Sequence, residues 1–91
     1  MWTRRALREV DAAFEWIVAE NPRAAAEVID RLWAATRILG EHSRMGRPGR
    51  IVGTRELVES QTPYIAVYRE KAGQIEILAV LHHAREWPRD L

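Results

Sequence analysis

Through the first half of the chain apolar residues return every three or four positions, and through the last third they alternate or run together. The first pattern is helical. Leu7, Val10, Phe14 and Ile17 or Val18 make one apolar stripe, which predicts a helix from about Thr3 to Glu20 with Thr3 as its N-cap. Asn21-Pro22 ends that helix, because proline pushes the residue before it out of helical geometry. The same pair starts the next one: asparagine caps and proline suits the first helical position. Ala25, Val28, Ile29, Leu32, Ala35 or Thr36, and Leu39 form the second stripe, and Gly40 suits its C-terminal end. Two amphipathic helices with so short a break predict a helical hairpin.

Ser43 to Gly53 is punctuated by Gly46, Pro48, Gly49 and Gly53 and is expected to be an exposed loop. The period then changes. Thr54 to Glu59 and Tyr64 to Glu70 are strand candidates, separated by Ser60-Gln61-Thr62-Pro63. Lys71-Ala72-Gly73-Gln74 predicts a tight turn, and the nearly continuous apolar run Ile75 to Leu81 predicts a strand buried on both faces, hence central. The fold class expected is α+β: an N-terminal helical hairpin packed on a small antiparallel sheet.

A chain of 91 residues is read as one domain, residues 1–91, too short for two cores. Its 47% hydrophobic and 30% charged content is that of a globular protein. With no cysteine there is neither a disulfide framework nor a thiolate metal site. No apolar run is long enough to span a bilayer and no signal peptide opens the chain, so a cytoplasmic location is expected. Net charge is only +1, but Arg44, Arg47, Arg50 and Arg55 fall together with no acid among them. Such a segment is either a solvated loop or a field that attracts phosphate or acidic protein.

The candidates for chemistry are few. His82 and His83 are adjacent and should point to opposite faces of a strand, so they cannot chelate one ion; no metal and no cofactor is expected. One histidine could serve in proton transfer, with Glu56 or Glu59 as a partner, or could simply close the sheet. The serines and threonines lack a nucleophile elbow or a local base. Trp16 and Trp33 lie beside the helical stripes, as core margins or as anchors for another chain. Trp87, before Pro88, either folds over the end of the sheet or anchors a partner.

The segments RMGRPGRIVGTRELV (44–58), PYIAVYRE (63–70) and IEILAVLHHAREWP (75–88), with the helical half before them, resemble the RelE/ParE superfamily of type II toxin–antitoxin toxins, ParE-like branch. The resemblance implies a helical hairpin on an antiparallel sheet, usually with an added N-terminal strand. Here Thr3 opens the helix so early that either this strand is reduced to two or three residues or the true start lies upstream. It also implies a cognate antitoxin that neutralises the toxin in a hetero-oligomer. Two activities divide the superfamily. RelE-like members are ribosome-dependent mRNA endoribonucleases, whereas ParE-like members poison DNA gyrase. The RelE-like pattern places arginine second in a Tyr-Arg-x-x-Tyr strand, where it can stabilise charge at the scissile phosphate. Here YIAVY puts Ile65 there, and Trp87 falls near the place of a C-terminal tyrosine. Indole stacks but does not transfer a proton as phenol does.

A gyrase inhibitor without a hydrolytic site is therefore expected; the alternatives are a ribonuclease using His82, His83 and Arg85, and a degenerate toxin that binds only its antitoxin. On the first reading Arg44, Arg47, Arg50, Arg55, Arg69, Arg85 and Trp87 form a target-binding rim, and Trp16 and Trp33 face the antitoxin. Removing the Arg47 and Arg50 pair, or Arg85, should then weaken gyrase inhibition while leaving thermal stability and antitoxin affinity nearly unchanged.

Overall fold

The computed structural model describes residues 1–84 and Trp87. Helices α1 (Arg4–Val18) and α2 (Pro22–Ile38) pack on each other and precede four strands, β1 (Arg47–Pro48), β2 (Arg55–Val58), β3 (Tyr64–Lys71) and β4 (Gln74–His82). The strands form one antiparallel sheet in chain order. Both helix starts are capped as their residues dictate. Thr3 Oγ1 accepts the Ala6 amide at 3.1 Å, and Asn21 Oδ1 accepts the Ala24 amide at 3.1 Å.

The buried face of α1 is not the Leu7–Phe14 stripe. Ala6, Val10 and Ala13 are buried, with Ile17 half-buried, while Leu7 and Phe14 keep 43% and 39% of their surface exposed. The reason is crowding. α1 packs against both α2 and β4, and short side chains at the contact let the layers approach. On α2 the expected stripe holds: Ala25, Leu32, Thr36 and Leu39 are buried. Leu57, Tyr64, Ala66, Tyr68, Ile77 and Val80 complete the core from the sheet.

The sheet departs from expectation twice. The segment expected to be loop contributes β1, a two-residue edge strand in which Arg47 pairs with Glu56 and Pro48 with Arg55. And β4 is the last strand in the order, not a central one; β2 and β3 are the interior strands, and β3 has Tyr64 to Tyr68 all buried. The apolar run in β4 has another cause: its outer edge is covered by the start of the chain. Trp2 bridges Ile77 in parallel, the Ile77 amide donates to the Met1 carbonyl at 2.8 Å, and the Thr3 amide donates to the Ile77 carbonyl at 3.0 Å. Thr3 Oγ1 donates to the Leu78 carbonyl at 3.1 Å, and the Val80 amide donates to Glu9 Oε1 at 3.0 Å. The family's N-terminal strand is thus reduced to one bridge, and side chains finish what it leaves open.

At the other side, the buried Tyr68 hydroxyl pins the link between α2 and β1. It donates to the Ser43 carbonyl at 2.7 Å and accepts the Gly46 amide at 2.8 Å. Glycine is required at 46, since an added Cβ would lie 2.6 Å from the Tyr68 ring and 2.9 Å from the Glu56 carbonyl. Tyr68→Phe strands a buried carbonyl and amide and is expected to cost about 1–3 kcal/mol. Gly46→Ala forces overpacking at a similar cost, about 1–3 kcal/mol. Urea unfolding of the two variants measures both, and midpoints equal to wild type would contradict this account of the loop.

Candidate functional site

Glu56 sits in the middle of β2, opposite Val67 of β3, on the sheet face turned away from the helices. It is only 2% exposed, and a carboxylate so placed needs partners. The antiparallel register supplies them. Arg47, directly across on β1, donates to Glu56 Oε1 from Nε at 3.1 Å and Nη2 at 2.9 Å. The Arg50 amide donates to Oε2 at 2.8 Å, and its guanidinium approaches the same oxygen at 3.7 Å. The Arg50 guanidinium also lies over the Trp87 ring, 3.7 Å from its centroid. The basic loop and the C-terminal segment therefore meet at one place, above Glu56. The indole N–H is buried with no hydrogen-bond partner among the described residues, so the ring is held there by packing and by Arg50.

The remaining arginines go elsewhere. Arg55 turns its Nη1 to the Gly46 carbonyl at 2.7 Å and, more weakly, the Arg44 carbonyl at 3.5 Å. Arg69 pairs with Glu76 across β3 and β4, at 2.7 Å from both Nε and Nη2. Arg44 is exposed. Arg85 lies outside the described residues. The arginines expected to form one rim thus divide into two groups, Arg47 and Arg50 around Glu56 and Arg44, Arg55 and Arg69 beside Tyr68.

His82 and His83 do not point to opposite faces. β4 ends at His82, the chain turns, and the two rings stack with centroids 5.1 Å apart. His82 also meets Tyr64 edge-on at 5.4 Å, and its Nδ1 accepts the Ala84 amide at 3.1 Å. Neither glutamate considered as its partner is held for that role. The Glu56 carboxylate serves Arg47 and Arg50, and Glu59 accepts the Gln61 amide at 2.9 Å. Among the described residues no three metal-ligating side chains gather.

The tryptophans separate clearly. Trp33 leans on Trp2, ring centroids 4.4 Å apart, and belongs to the core margin. Trp16 is 71% exposed on α1. A second apolar surface, a groove of about 500 Å³ between the end of α2 and β2, exposes Ile38, Met45 and Val58. Ile65, at the place of the RelE-type arginine, is buried in β3 at 3% exposure. Sequence reasoning passed over the structural part of Glu56; an acid flanked by Arg55 and Leu57 in a strand, with arginines just before it, was the available signal.

Two helices followed by a four-stranded antiparallel sheet make an α+β fold that is shared with toxins of type II toxin-antitoxin systems. The family model described as "ParE toxin of type II toxin-antitoxin system, parDE" matches residues 1–87. The chain belongs to this family, within the RelE/ParE superfamily, and so has an antitoxin as its partner. It is 46% identical over 90 residues to Y4kP of Sinorhizobium fredii, described as a candidate toxin, covering 99% of this chain and 93% of the relative. It is 34% identical over 85 residues to toxin RelE2 of Caulobacter vibrioides, covering 93% and 94%. A solved structure of a chromosomal ParDE system from P. aeruginosa superposes with a TM-score of 0.81 at 27% identity, over 89% of this chain and 90% of that one.

The ion cluster makes an asymmetric prediction. Glu56→Ala removes the one buried partner of two arginines and is expected to cost about 2–4 kcal/mol. Arg47→Gln leaves Arg50 in place, and Arg47 is 53% exposed, so it should cost about 1 kcal/mol or less. Denaturant titration of both variants checks the order; equal losses would argue against Glu56 as the organising group.

Proposed function

We propose that this toxin inhibits DNA gyrase by binding rather than by hydrolysis, in the cytoplasm, and that its antitoxin releases that inhibition. The observation that carries the reading is at β3. Where a RelE-type nuclease presents a guanidinium to phosphate, this chain buries Ile65, and the nearby Arg47 and Arg50 are committed to Glu56. Such a face has charge and an aromatic surface for docking, in Arg50 and Trp87, but its described groups are poorly suited to stabilising a cleaved phosphodiester. Among the described residues no helix is long and apolar enough to cross a membrane.

For the antitoxin, Trp16 on α1 and the exposed Ile38, Met45 and Val58 are the apolar surface a partner would cover. Trp33 contributes at most the edge left by its packing on Trp2. Arg44, Arg55 and Arg69 complete the described charged surface that the antitoxin or the target would meet.

Purified toxin, added separately to a gyrase supercoiling reaction and to a translation reaction, tests the reading. Supercoiling should stop while mRNA stays whole. Ribosome-dependent cleavage with normal supercoiling would transfer the chain to the ribonuclease branch. For the partner, Trp16→Ala should weaken antitoxin binding by about tenfold or more with little change in stability, as expected for an exposed aromatic anchor. Calorimetric titration of antitoxin into wild type and variant measures it, and unchanged affinity would move the contact off this face of α1.

A further inference from the structure

Between the α2–β1 link, the tip at Gly53 and the far end of β3 lies a small concave pocket of about 210 Å³. Arg44, Arg55 and Arg69 all line it, with the Tyr68 side chain as one wall. It is separate from the Glu56 cluster and contains neither Arg47 nor Arg50. We propose that this pocket binds a phosphate group, free or carried by a nucleotide.

The first argument is charge. Three arginines line one small pocket, and the surroundings stay net positive with the lining Glu70 and the Arg69 partner Glu76 counted. Guanidinium forks match a tetrahedral oxyanion in shape as well as in charge. The second is preorganisation. Arg55 is oriented by backbone carbonyls that take only its Nη1, and Arg69 by a carboxylate that takes Nε and Nη2. Each keeps donors for a ligand while its side chain is already fixed, so less conformational entropy is lost on binding. Arg44 has its guanidinium in no ion pair among the described residues and can close on the ligand. The third is the wall itself. Tyr68 is pinned by Ser43 and Gly46, so the pocket cannot simply collapse onto its arginines. Gly53, at φ +84, turns the chain at the rim without a side chain over the opening.

The proposal does not depend on the gyrase reading, because a chain inert toward gyrase would still bind the anion. The full chain is titrated with inorganic phosphate and with a nucleoside 5′-monophosphate at about 150 mM salt, where distant charges are screened. Amide NMR signals of Gly53 and Arg69 report the pocket. Saturable shifts at these residues are expected, and the tighter of the two probes identifies the source of the phosphate. Arg44→Gln should weaken binding by about fivefold or more, as loss of a charge-assisted contact implies. Arg23→Gln, the same charge change on an exposed site at the start of α2, should leave it within about twofold. No saturation with either probe, or equal weakening by the two variants, overturns the proposal.

Discussion

The burial of one carboxylate organises the side of this molecule that faces away from the helices. Glu56 is buried opposite Val67 of β3, and a charge there survives only if donors are brought to it. They come from a short segment that Tyr68 and Arg55 also hold, at Ser43 and Gly46. β1 is two residues long, and the chain around it is rich in glycine and proline. Two arginines and a backbone amide converge on Glu56, fixing the β1–β2 connection; Arg50 in turn carries Trp87. What binds on this face meets a braced surface rather than loose basic chain.

The same accounting explains why so small a sheet has covered edges. Strands exposed at both sides invite pairing with other chains. On one side the edge strand is short and carries proline. On the other, residues 1–9 supply a bridge, the Met1 carbonyl and ammonium, the Thr3 amide, a hydroxyl and a carboxylate to the outer edge of β4. Thr3 does two jobs there, capping α1 and donating to Leu78, which locks the helix start to the sheet.

The helices were legible because their signals are local: a 3.6-residue period, Thr3 and Asn21 as caps, and a proline at a helix start. The direction faced by α1 was not, because Ala6 and Ala13 carry little hydrophobic signal beside Leu7 and Phe14. Their burial follows from how closely three layers approach. β1 escaped notice since two residues have no period, and β4 read as central since sequence does not say what covers an edge. The basic residues were visible, but their division into two groups depends on the register Arg47↔Glu56, a property of strand pairing rather than of spacing. His82 and His83 stack for a similar reason: alternation holds only while the strand lasts.

The clasp between the beginning of the chain and β4 joins residues 71 to 75 positions apart, nearly the full described length. Contacts of that separation form late, because the loop they close is costly in entropy until other structure shortens it. Until the beginning of the chain meets β4, that outer edge stays open and α1 lacks the strand it packs on. The start of α1 and the last strand are therefore completed together.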